Sequence, residues 1–275
     1  MKNVLVRSLS GIIYIALIVG AALAGGWWWY ALTALFAVVG TLEYQRMIAV
    51  KQRSQLPVLS SAIDLTSTLI VWGVAPLMEY RSDSLPAVGI ILLLCLLLRM
   101  SLALSQKRGD AFASTAASVF GVAYIGVPLS LLNIAMLISP AATTGILGMF
   151  VLIWLNDTGA FCVGSLFGKR RLCERLSPKK SWEGFWGGLL FCVAACAIYA
   201  AVTDLPVVTC MAYGVVVSVF ATWGDLFESM LKRAAGVKDS GNIIPGHGGI
   251  LDRIDSLLFV APASALFYIL SAYPF

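Results

Sequence analysis

Long stretches without a charged residue constrain this chain more than any other feature of its sequence. Residues 8–42 and 111–156 contain no Asp, Glu, Lys or Arg, and charge-free stretches of 20 residues cover 184–203, 205–224 and 256–275. A helix needs roughly 20 mostly apolar residues to cross a bilayer. Only 12% of the residues are charged, compared with about 25% in a typical soluble domain. The sequence therefore predicts an all-α, polytopic integral membrane protein.

The apolar stretches divide into about nine predicted membrane spans, with the N-terminus in the cytoplasm. In this orientation every Lys and Arg except Arg81 and Arg99 falls in a predicted cytoplasmic segment, in agreement with the positive-inside rule. Arg99 lies inside a span, close enough to its cytoplasmic end to snorkel. The predicted spans are 8–24, 27–45, 57–78, 85–106, 112–138, 142–166, 184–203, 206–224 and 256–274.

The first 24 residues allow a second interpretation. Arg7, the apolar stretch 11–24 and the small residues Ala22-Leu23-Ala24 also resemble a secretory signal peptide. Its removal would leave eight spans with the same cytoplasmic loops. The glycine pair at 25–26 and the aromatic run at 27–30 favour a hairpin turn and an interfacial belt instead.

Two long predicted cytoplasmic loops, 168–183 and 225–255, carry most of the polar chemistry. We therefore divide the chain into about four N-terminal transmembrane helices, 1–110, and a catalytic transmembrane region, 111–275. The first loop contains Ser177-Pro178-Lys179-Lys180, in which a rigid turn presents two ammonium groups suited to phosphate. The positive-inside rule alone explains the charge of this loop, but not this particular run.

Asp64, Asp157 and Asp225 lie within or at the edge of predicted spans, where carboxylates are costly and usually face a bundle interior or a water-filled cavity. Asp157 follows Asn156 and precedes small residues, which predicts a polar cavity wall. Asp64 has no polar neighbours in sequence, so a structural hydrogen bond between helices is the alternative to a site role. Asp225 opens the second cytoplasmic loop.

The segment 225–255 combines carboxylates, basic side chains and a glycine-rich turn. If the eighth span continues as a helix, Asp225, Glu228 or Ser229, and Lys232 share one face, with an ion pair between Glu228 and Lys232 at the helix end as the alternative. Asp252 and Asp255 share a face if a helix starts there, with helix capping as their alternative role. Hard oxygen ligands without clustered Cys or His indicate Mg²⁺. Mg²⁺ together with Lys and Arg is typical of phosphoryl or nucleotidyl transfer.

The constrained positions of this segment form a pattern over 27 residues. They are Ser229-x-Leu231-Lys232-Arg233, Lys238-Asp239-x-Gly241, Ile244-Pro245-x-His247-Gly248-Gly249-Ile250 and Asp252-Arg253-Ile254-Asp255. This pattern resembles the signature of the phosphatidate cytidylyltransferases, also called CDP-diglyceride synthases. Asn156-Asp157 and the run 177–184 also resemble the family, whereas the N-terminal spans match it only in hydropathy and length.

The resemblance implies a bacterial-type, multi-pass enzyme of the cell (inner) membrane with its active site on the cytoplasmic side. It would transfer a cytidylyl group from CTP to phosphatidate, release pyrophosphate and need a divalent metal, expected to be Mg²⁺. The expected catalytic residues are Asp225, Lys232, Arg233 and Asp252. The expected metal ligands are Asp225, Asp252 and Asp255, with Asp239 as a weaker candidate. The expected substrate-binding residues are Asn156, Asp157, Ser177, Lys179, Lys180, Ser229, Lys238, His247 and Arg253.

The expected partners are the lipid bilayer, CTP and phosphatidate, and no nucleic acid is expected. The sequence leaves open whether the protein forms a homodimer.

Two other functions compete with this assignment. A related lipid nucleotidyltransferase or lipid kinase would use another acceptor, because the signature specifies the phosphate chemistry better than the lipid. A transporter for an anionic solute would place its polar groups near the bilayer midplane and on both sides, whereas here they crowd one side.

Overall fold

A computed structural model describes residues 2–52, 58–81, 83, 85–104, 110–138, 142–244 and 248–271, with side chains from residue 9 onward except at 51, 52 and 271. It confirms the all-α class. The helices are α1 (Lys2–Ala24), α2 (Gly26–Gln52), α3 (Val58–Trp72), α4 (Val74–Tyr80), α5 (Leu85–Leu104), α6 (Ala111–Gly121), α7 (Val127–Ile138), α8 (Ala142–Phe167), α9 (Trp182–Thr203), α10 (Val207–Ala235) and α11 (Leu251–Ser271). A π-helical turn, Val122–Gly126, joins α6 to α7, and an antiparallel hairpin of β1 (Arg171–Cys173) and β2 (Ser177–Ser181) joins α8 to α9.

Every predicted span contains a helix, but not every helix meets the requirements of a membrane span. Among the described residues six helices are long and apolar enough to cross a bilayer: α5, the continuous helix Ala111–Ile138, α8, α9, α10 and α11. The bent pair α3 and α4 would be a seventh, and α1 contributes the shorter apolar helix Leu9–Ala24. The protein is therefore polytopic, while the count of nine spans and the orientation stay predictions.

The segment predicted as the span 57–78 is bent by 47° between α3 and α4. Pro76 has no N–H to donate to the carbonyl oxygen of Trp72, four residues earlier, and its ring disfavours a straight helix at that point. The side-chain amide of Asn133 donates to this carbonyl oxygen over 3.5 Å. A polar residue of a neighbouring helix thus satisfies the group that the proline leaves free.

The chain divides into two compact units. The first unit comprises 1–140 and 231–254, and the second comprises 141–230 and 255–275. The first unit therefore joins the N-terminal helices to most of the signature, which lies about a hundred residues further along the chain. The sequence analysis divides the chain at residue 110 by predicted role, into N-terminal helices and a catalytic region. This division by role stays a prediction.

Asp64 and Arg99 form a buried ion pair in the first unit. Arg99 Nε lies 3.3 Å from Asp64 Oδ1, and the two side chains are only 2% and 7% exposed. Arg99 Nη2 also donates to the Ser114 hydroxyl over 2.9 Å, and the Ser118 hydroxyl donates to Asp64. The prediction that Arg99 snorkels to the interface is wrong, because a carboxylate inside the bundle neutralises its charge there. This contact corresponds to the alternative role of Asp64, a structural hydrogen bond between helices.

In the second unit α8 and α9 pack closely along a line of small residues. A Cβ atom added at Gly188 would lie 2.7 Å from the carbonyl oxygen of Asn156, and one at Gly159 would lie 2.9 Å from that of Gly187. Small residues let helix backbones approach in this way inside membranes. At the start of α9 the Ser181 hydroxyl accepts the N–H of Gly184 over 3.1 Å, which is an N-terminal cap. This cap fixes the junction between the hairpin and α9.

Candidate active site

A cavity of about 610 Å³ lies in the second unit, where α8 ends and α9 begins. Its walls come from the C-terminal half of α8, the hairpin, the first turn of α9 and the middle of α10. Five of the predicted site residues line it: Asn156, Asp157, Lys179, Lys180 and Asp225. The cavity therefore joins residues from three separate parts of the sequence that were assigned to substrate binding and to the metal.

An ion pair between Lys180 and Asp225 crosses this cavity. The side chains are 29% and 32% exposed, so both reach the solvent-filled space. The Ser229 hydroxyl, one helical turn after Asp225, donates to Asp225 Oδ1 over 3.4 Å. A carboxylate and an ammonium group therefore face each other at a position open to a charged ligand.

The hairpin gives the two lysines their positions. β2 pairs antiparallel with β1, with Arg171 opposite Ser181 and Cys173 opposite Ser177. The carboxylate of Glu183 accepts the backbone N–H of Lys169 and of Arg170 at 3.1–3.2 Å and so holds the entry to the hairpin. The loop expected from the sequence is thus a short structured element. The prediction of a rigid turn at Ser177-Pro178 is wrong, because these residues begin β2 and the turn lies at 174–176.

Asn156 is buried at the base of the cavity. Its Oδ1 accepts the Ser218 hydroxyl of α10 over 2.7 Å. A Cβ atom at Gly188 would come within 2.6 Å of the same Oδ1, so only a glycine of α9 leaves room for this amide. Three helices therefore fix the Asn156 side chain, whereas Asp157, the next residue, is exposed on the cavity.

Helices are present at both ends of the signature, which meets the two conditions considered from the sequence. α10 runs beyond Asp225 and Ser229 to Ala235, and α11 begins at Leu251, so that Asp252 and Asp255 share a face. We call the described residues between the two helices, 236–244 and 248–250, the signature loop. His247, with Pro245 and Gly246, lies outside the described residues.

Asp252 holds the signature loop in the first unit. Its Oδ1 lies 2.6 Å from Lys232 Nζ. Its Oδ2 accepts the backbone N–H of Ser240 over 2.9 Å and that of Gly249 over 2.8 Å, with the Ser240 hydroxyl also at 2.9 Å. Gly248 adopts φ +88°, which a side chain would strain, and a Cβ there would come within 2.6 Å of Asp252 Oδ2. Asp252 therefore organises the loop through its neutral donors and holds one ammonium group.

The other predicted residues of the signature are more exposed or engaged locally. Arg233 donates to the carbonyl oxygen of Val237 over 3.1 Å, at the C-terminal end of α10. Lys238, Asp239 and Arg253 are exposed. Asp255, which belongs to the second unit, accepts the N–H of Ser256 over 2.7 Å.

The predicted metal site requires carboxylates that lie close together. Across residues 2–244 and 248–271, gaps excepted, no three Asp, Glu, His or Cys side chains converge as a metal site. The chemistry of the individual donors does fit a divalent cation, because Asp225 is a half-exposed carboxylate on a cavity and is paired with an ammonium group. Asp252 is also paired with an ammonium group, through Oδ1.

Two site residues escaped prediction from the sequence. Arg171 lines the cavity beside the two lysines, although it was counted only among the basic residues of the loop. Glu43 of α2 contacts the signature loop, and the signal for it was its presence inside the predicted span 27–45, where a carboxylate is costly.

Membrane-length helices around a cavity with cationic side chains place the chain in the class of integral membrane proteins that handle phosphorylated substrates. Comparison with known proteins is more specific. The model of the cytidylyltransferase family matches residues 5–271, and the chain belongs to that family.

The relatives extend over almost the whole chain. It is 34% identical over 264 residues to the phosphatidate cytidylyltransferase of Staphylococcus aureus (strain COL), an alignment that covers 94% of this chain and 96% of the relative. It is 34% identical over 263 residues to the protein of the same name from Staphylococcus epidermidis (strain ATCC 12228 / FDA PCI 1200), with the same coverage. For that of Bacillus subtilis (strain 168) the identity is 47% over 125 residues, 45% of this chain and 46% of the relative. The family resemblance inferred from the signature is thus confirmed.

Proposed function

We propose that this chain is a phosphatidate cytidylyltransferase, which converts CTP and phosphatidate into CDP-diacylglycerol and pyrophosphate. The observation that carries the proposal is the cavity in which Asn156, Asp157, Lys179 and Lys180 line the same space as Asp225. Its volume of about 610 Å³ lies within the roughly 300–1,000 Å³ usual for small-molecule sites. The name shared by relatives of nearly equal length supports the choice of substrates.

The reaction depends on charge neutralisation more than on a general base. A phosphate oxygen of phosphatidate, already anionic at neutral pH, attacks the α-phosphorus of CTP. The bond from this phosphorus to the bridging oxygen of the β-phosphate breaks, and pyrophosphate leaves with that electron pair. Two like unit charges about 4 Å apart repel by about 4 kcal/mol at an effective dielectric of about 20. Several such repulsions must be cancelled, so the cationic side chains should dominate the catalysis.

The cavity supplies these cations from the hairpin. We assign Lys179, Lys180 and Arg171 to the substrate phosphates, because ammonium and guanidinium groups form charge-assisted hydrogen bonds to phosphate oxygens. Asn156 and Asp157 would shape the nucleotide pocket. The diacyl chains would stay in the bilayer.

We assign similar roles, phosphate neutralisation and substrate binding, to residues of the signature, because they are basic or polar. Lys232 and Arg233 would assist catalysis as cations. The further substrate contacts would come from Ser177, Ser229, Lys238, His247 and Arg253.

We propose Asp225 as the principal ligand of a divalent cation, Mg²⁺, with Asp252 and Asp255 as further ligands and Asp239 as a weaker one. The ammonium group at Asp225 occupies a place that a divalent cation can take, and the carboxylate opens to the cavity. At Asp252 neutral donors occupy Oδ2 and the Lys232 ammonium group is paired with Oδ1, so Oδ1 marks the place where a divalent cation would bind. When bound, the cation supplies additional positive charge to the phosphates.

The substitution Asp252→Asn separates this role from helix capping. Asn caps helices about as well as Asp, so capping alone predicts that most activity is kept. A metal ligand predicts a nearly complete loss of turnover, with the residual activity shifted to higher Mg²⁺. Because Asp252 also holds the signature loop and Lys232, loss of turnover alone does not indicate a metal ligand. A shift of the residual activity to higher Mg²⁺ at unchanged thermal stability would indicate one.

We also propose that the site faces the cytoplasm, because segments 168–183 and 225–255 hold ten of the 19 Lys and Arg. Single cysteines in each segment, on a background without Cys173, test this with an impermeant thiol reagent. Cytoplasmic segments react only after the cells are permeabilised. Labelling of intact cells would contradict the orientation.

The function itself is tested with purified protein, CTP and Mg²⁺ in mixed micelles that contain either phosphatidate or diacylglycerol. Product analysis by mass spectrometry should find CDP-diacylglycerol with phosphatidate and no product with diacylglycerol. A lipid kinase would instead phosphorylate diacylglycerol, and a transporter would form neither product.

A further inference from the structure

Glu43 is a fully buried carboxylate of α2 that contacts the signature loop in the first unit. Its Oε1 accepts the N–H of Ile250 over 3.1 Å, and its Oε2 accepts the N–H of Leu251 over 2.8 Å. The Ser240 hydroxyl lies 3.1 Å from Oε2. A side chain from a helix about two hundred residues earlier therefore contacts the loop at two points, Ser240 and its C-terminal end.

The first turn of α11 depends on this distant carboxylate. The residue before the helix is Ile250, whose side chain cannot cap, although Ser, Thr, Asp or Asn usually accepts the free N–H groups of a first turn. Glu43 accepts two of these N–H groups instead, and its negative charge suits the positive end of the helix dipole.

The glycines at 241 and 249 provide the space for Glu43. A Cβ atom at either position would collide with the Glu43 carboxylate. Both glycines belong to the family signature, and this contact gives them a physical reason. The loop and Glu43 therefore fit each other as one packed arrangement, rather than through a single hydrogen bond.

Ser240 connects Glu43 to Asp252. Its hydroxyl lies 3.1 Å from Glu43 Oε2 and 2.9 Å from Asp252 Oδ2, and its single proton can be donated to only one of them at a time. Asp252 in turn holds Lys232 at 2.6 Å. Displacement of Glu43 would therefore shift the backbone of the signature loop. Through the loop it would also shift the Asp252 carboxylate and the Lys232 ammonium group.

We propose that Glu43 is a positioning residue for the transfer reaction, which keeps Asp252 and Lys232 in their working geometry by holding the signature loop. The proposal rests on the function proposed above. Among the described residues, the donors to Glu43 are all uncharged, and burying a carboxylate among them is costly. The presence of the Glu43 carboxylate at this buried position is explained if the reaction requires a rigid signature loop.

The test compares purified wild-type protein with Glu43→Gln. Glutamine keeps the shape but turns an N–H₂ group towards the backbone donors, so at least one hydrogen bond is lost. We expect kcat to fall about 10- to 100-fold, as for other residues that support functional ligands. KM for CTP should stay within about 2-fold, because the lost interaction acts on the transition state.

Two further measurements separate positioning from general damage. Hydrogen exchange of the peptide that covers Gly248 to Ser256 should be faster in Glu43→Gln. The matched control is Glu79→Gln, an exposed glutamate of the first unit that accepts the Tyr30 hydroxyl far from the signature in sequence, and it should leave both measurements unchanged. In the double variant with Ser240→Ala the losses in kcat should be less than additive, because both residues act through the same loop.

Wild-type kcat in Glu43→Gln would overturn the proposal. A rise in KM for CTP in parallel with reduced thermal stability would also overturn it, since that pattern indicates partial unfolding. Failure of the wild-type protein to form CDP-diacylglycerol would refute the proposed function instead. The exchange measurement uses no substrate, so it still reports whether Glu43 holds the loop.

Discussion

Replacement of Lys180 with methionine removes the ammonium group that faces Asp225 and keeps most of the aliphatic stem. Because the two side chains are 29% and 32% exposed, their ion pair should contribute only about 0–1 kcal/mol to the free energy of unfolding. If the ammonium group binds a substrate phosphate, loss of this charged hydrogen bond costs about 1.5–3 kcal/mol in binding or in the transition state. That corresponds to a decrease of about 10- to 150-fold in kcat/KM.

The assay is the initial rate of CDP-diacylglycerol formation at varied CTP, with thermal unfolding measured on the same preparations. Arg175→Met is the matched control, because Arg175 is exposed at the turn of the same hairpin and is not among the residues that line the cavity. We expect Lys180→Met to lose activity at nearly unchanged stability, and Arg175→Met to lose neither. Equal kinetics of the two variants would refute a phosphate-binding role of Lys180. The positive-inside rule would then be the remaining explanation for the positive charge of the loop 168–183.

Three further substitutions test other parts of the structure. Asp225→Asn should abolish nearly all turnover, with the residual activity shifted to higher Mg²⁺; normal turnover at ordinary Mg²⁺ would contradict a metal role. Gly188→Ala should lower activity and cost about 1–3 kcal/mol of stability, because the new methyl group meets Asn156, whereas Gly148→Ala on α8 has open space and should be tolerated. Arg99→Met should cost about 3–5 kcal/mol in thermal or denaturant unfolding, because it leaves a buried carboxylate without its cation; an unchanged stability would contradict the buried pair.

The helices could be predicted from the sequence because their signal is local. The charge-free stretch 184–203 falls in α9, and the described part of the stretch 256–275 falls in α11. Asn156, Asp157 and Asp225, which line the candidate cavity, could be singled out because polar side chains are costly within or at the edge of a membrane span.

Contacts between distant parts of the chain could not be predicted in this way. Arg99 seemed free to reach the interface, because nothing in its own span shows that Asp64 of another helix neutralises it. Glu43 is separated from Leu251 by about two hundred residues, and only the folded chain brings its carboxylate to the first turn of α11. The hairpin at 171–181 is short, and its charged residues give no alternating hydrophobic pattern that would mark strands.

The central claim, transfer of a cytidylyl group to phosphatidate, is tested most directly by the fate of labelled phosphorus. Purified protein is incubated with phosphatidate, Mg²⁺ and CTP that carries radioactive phosphorus at either the α or the γ position. We predict that the α-label enters the lipid fraction and that the γ-label is released as pyrophosphate. Transfer of the γ-label into lipid, or no label in lipid from either CTP, would contradict the account.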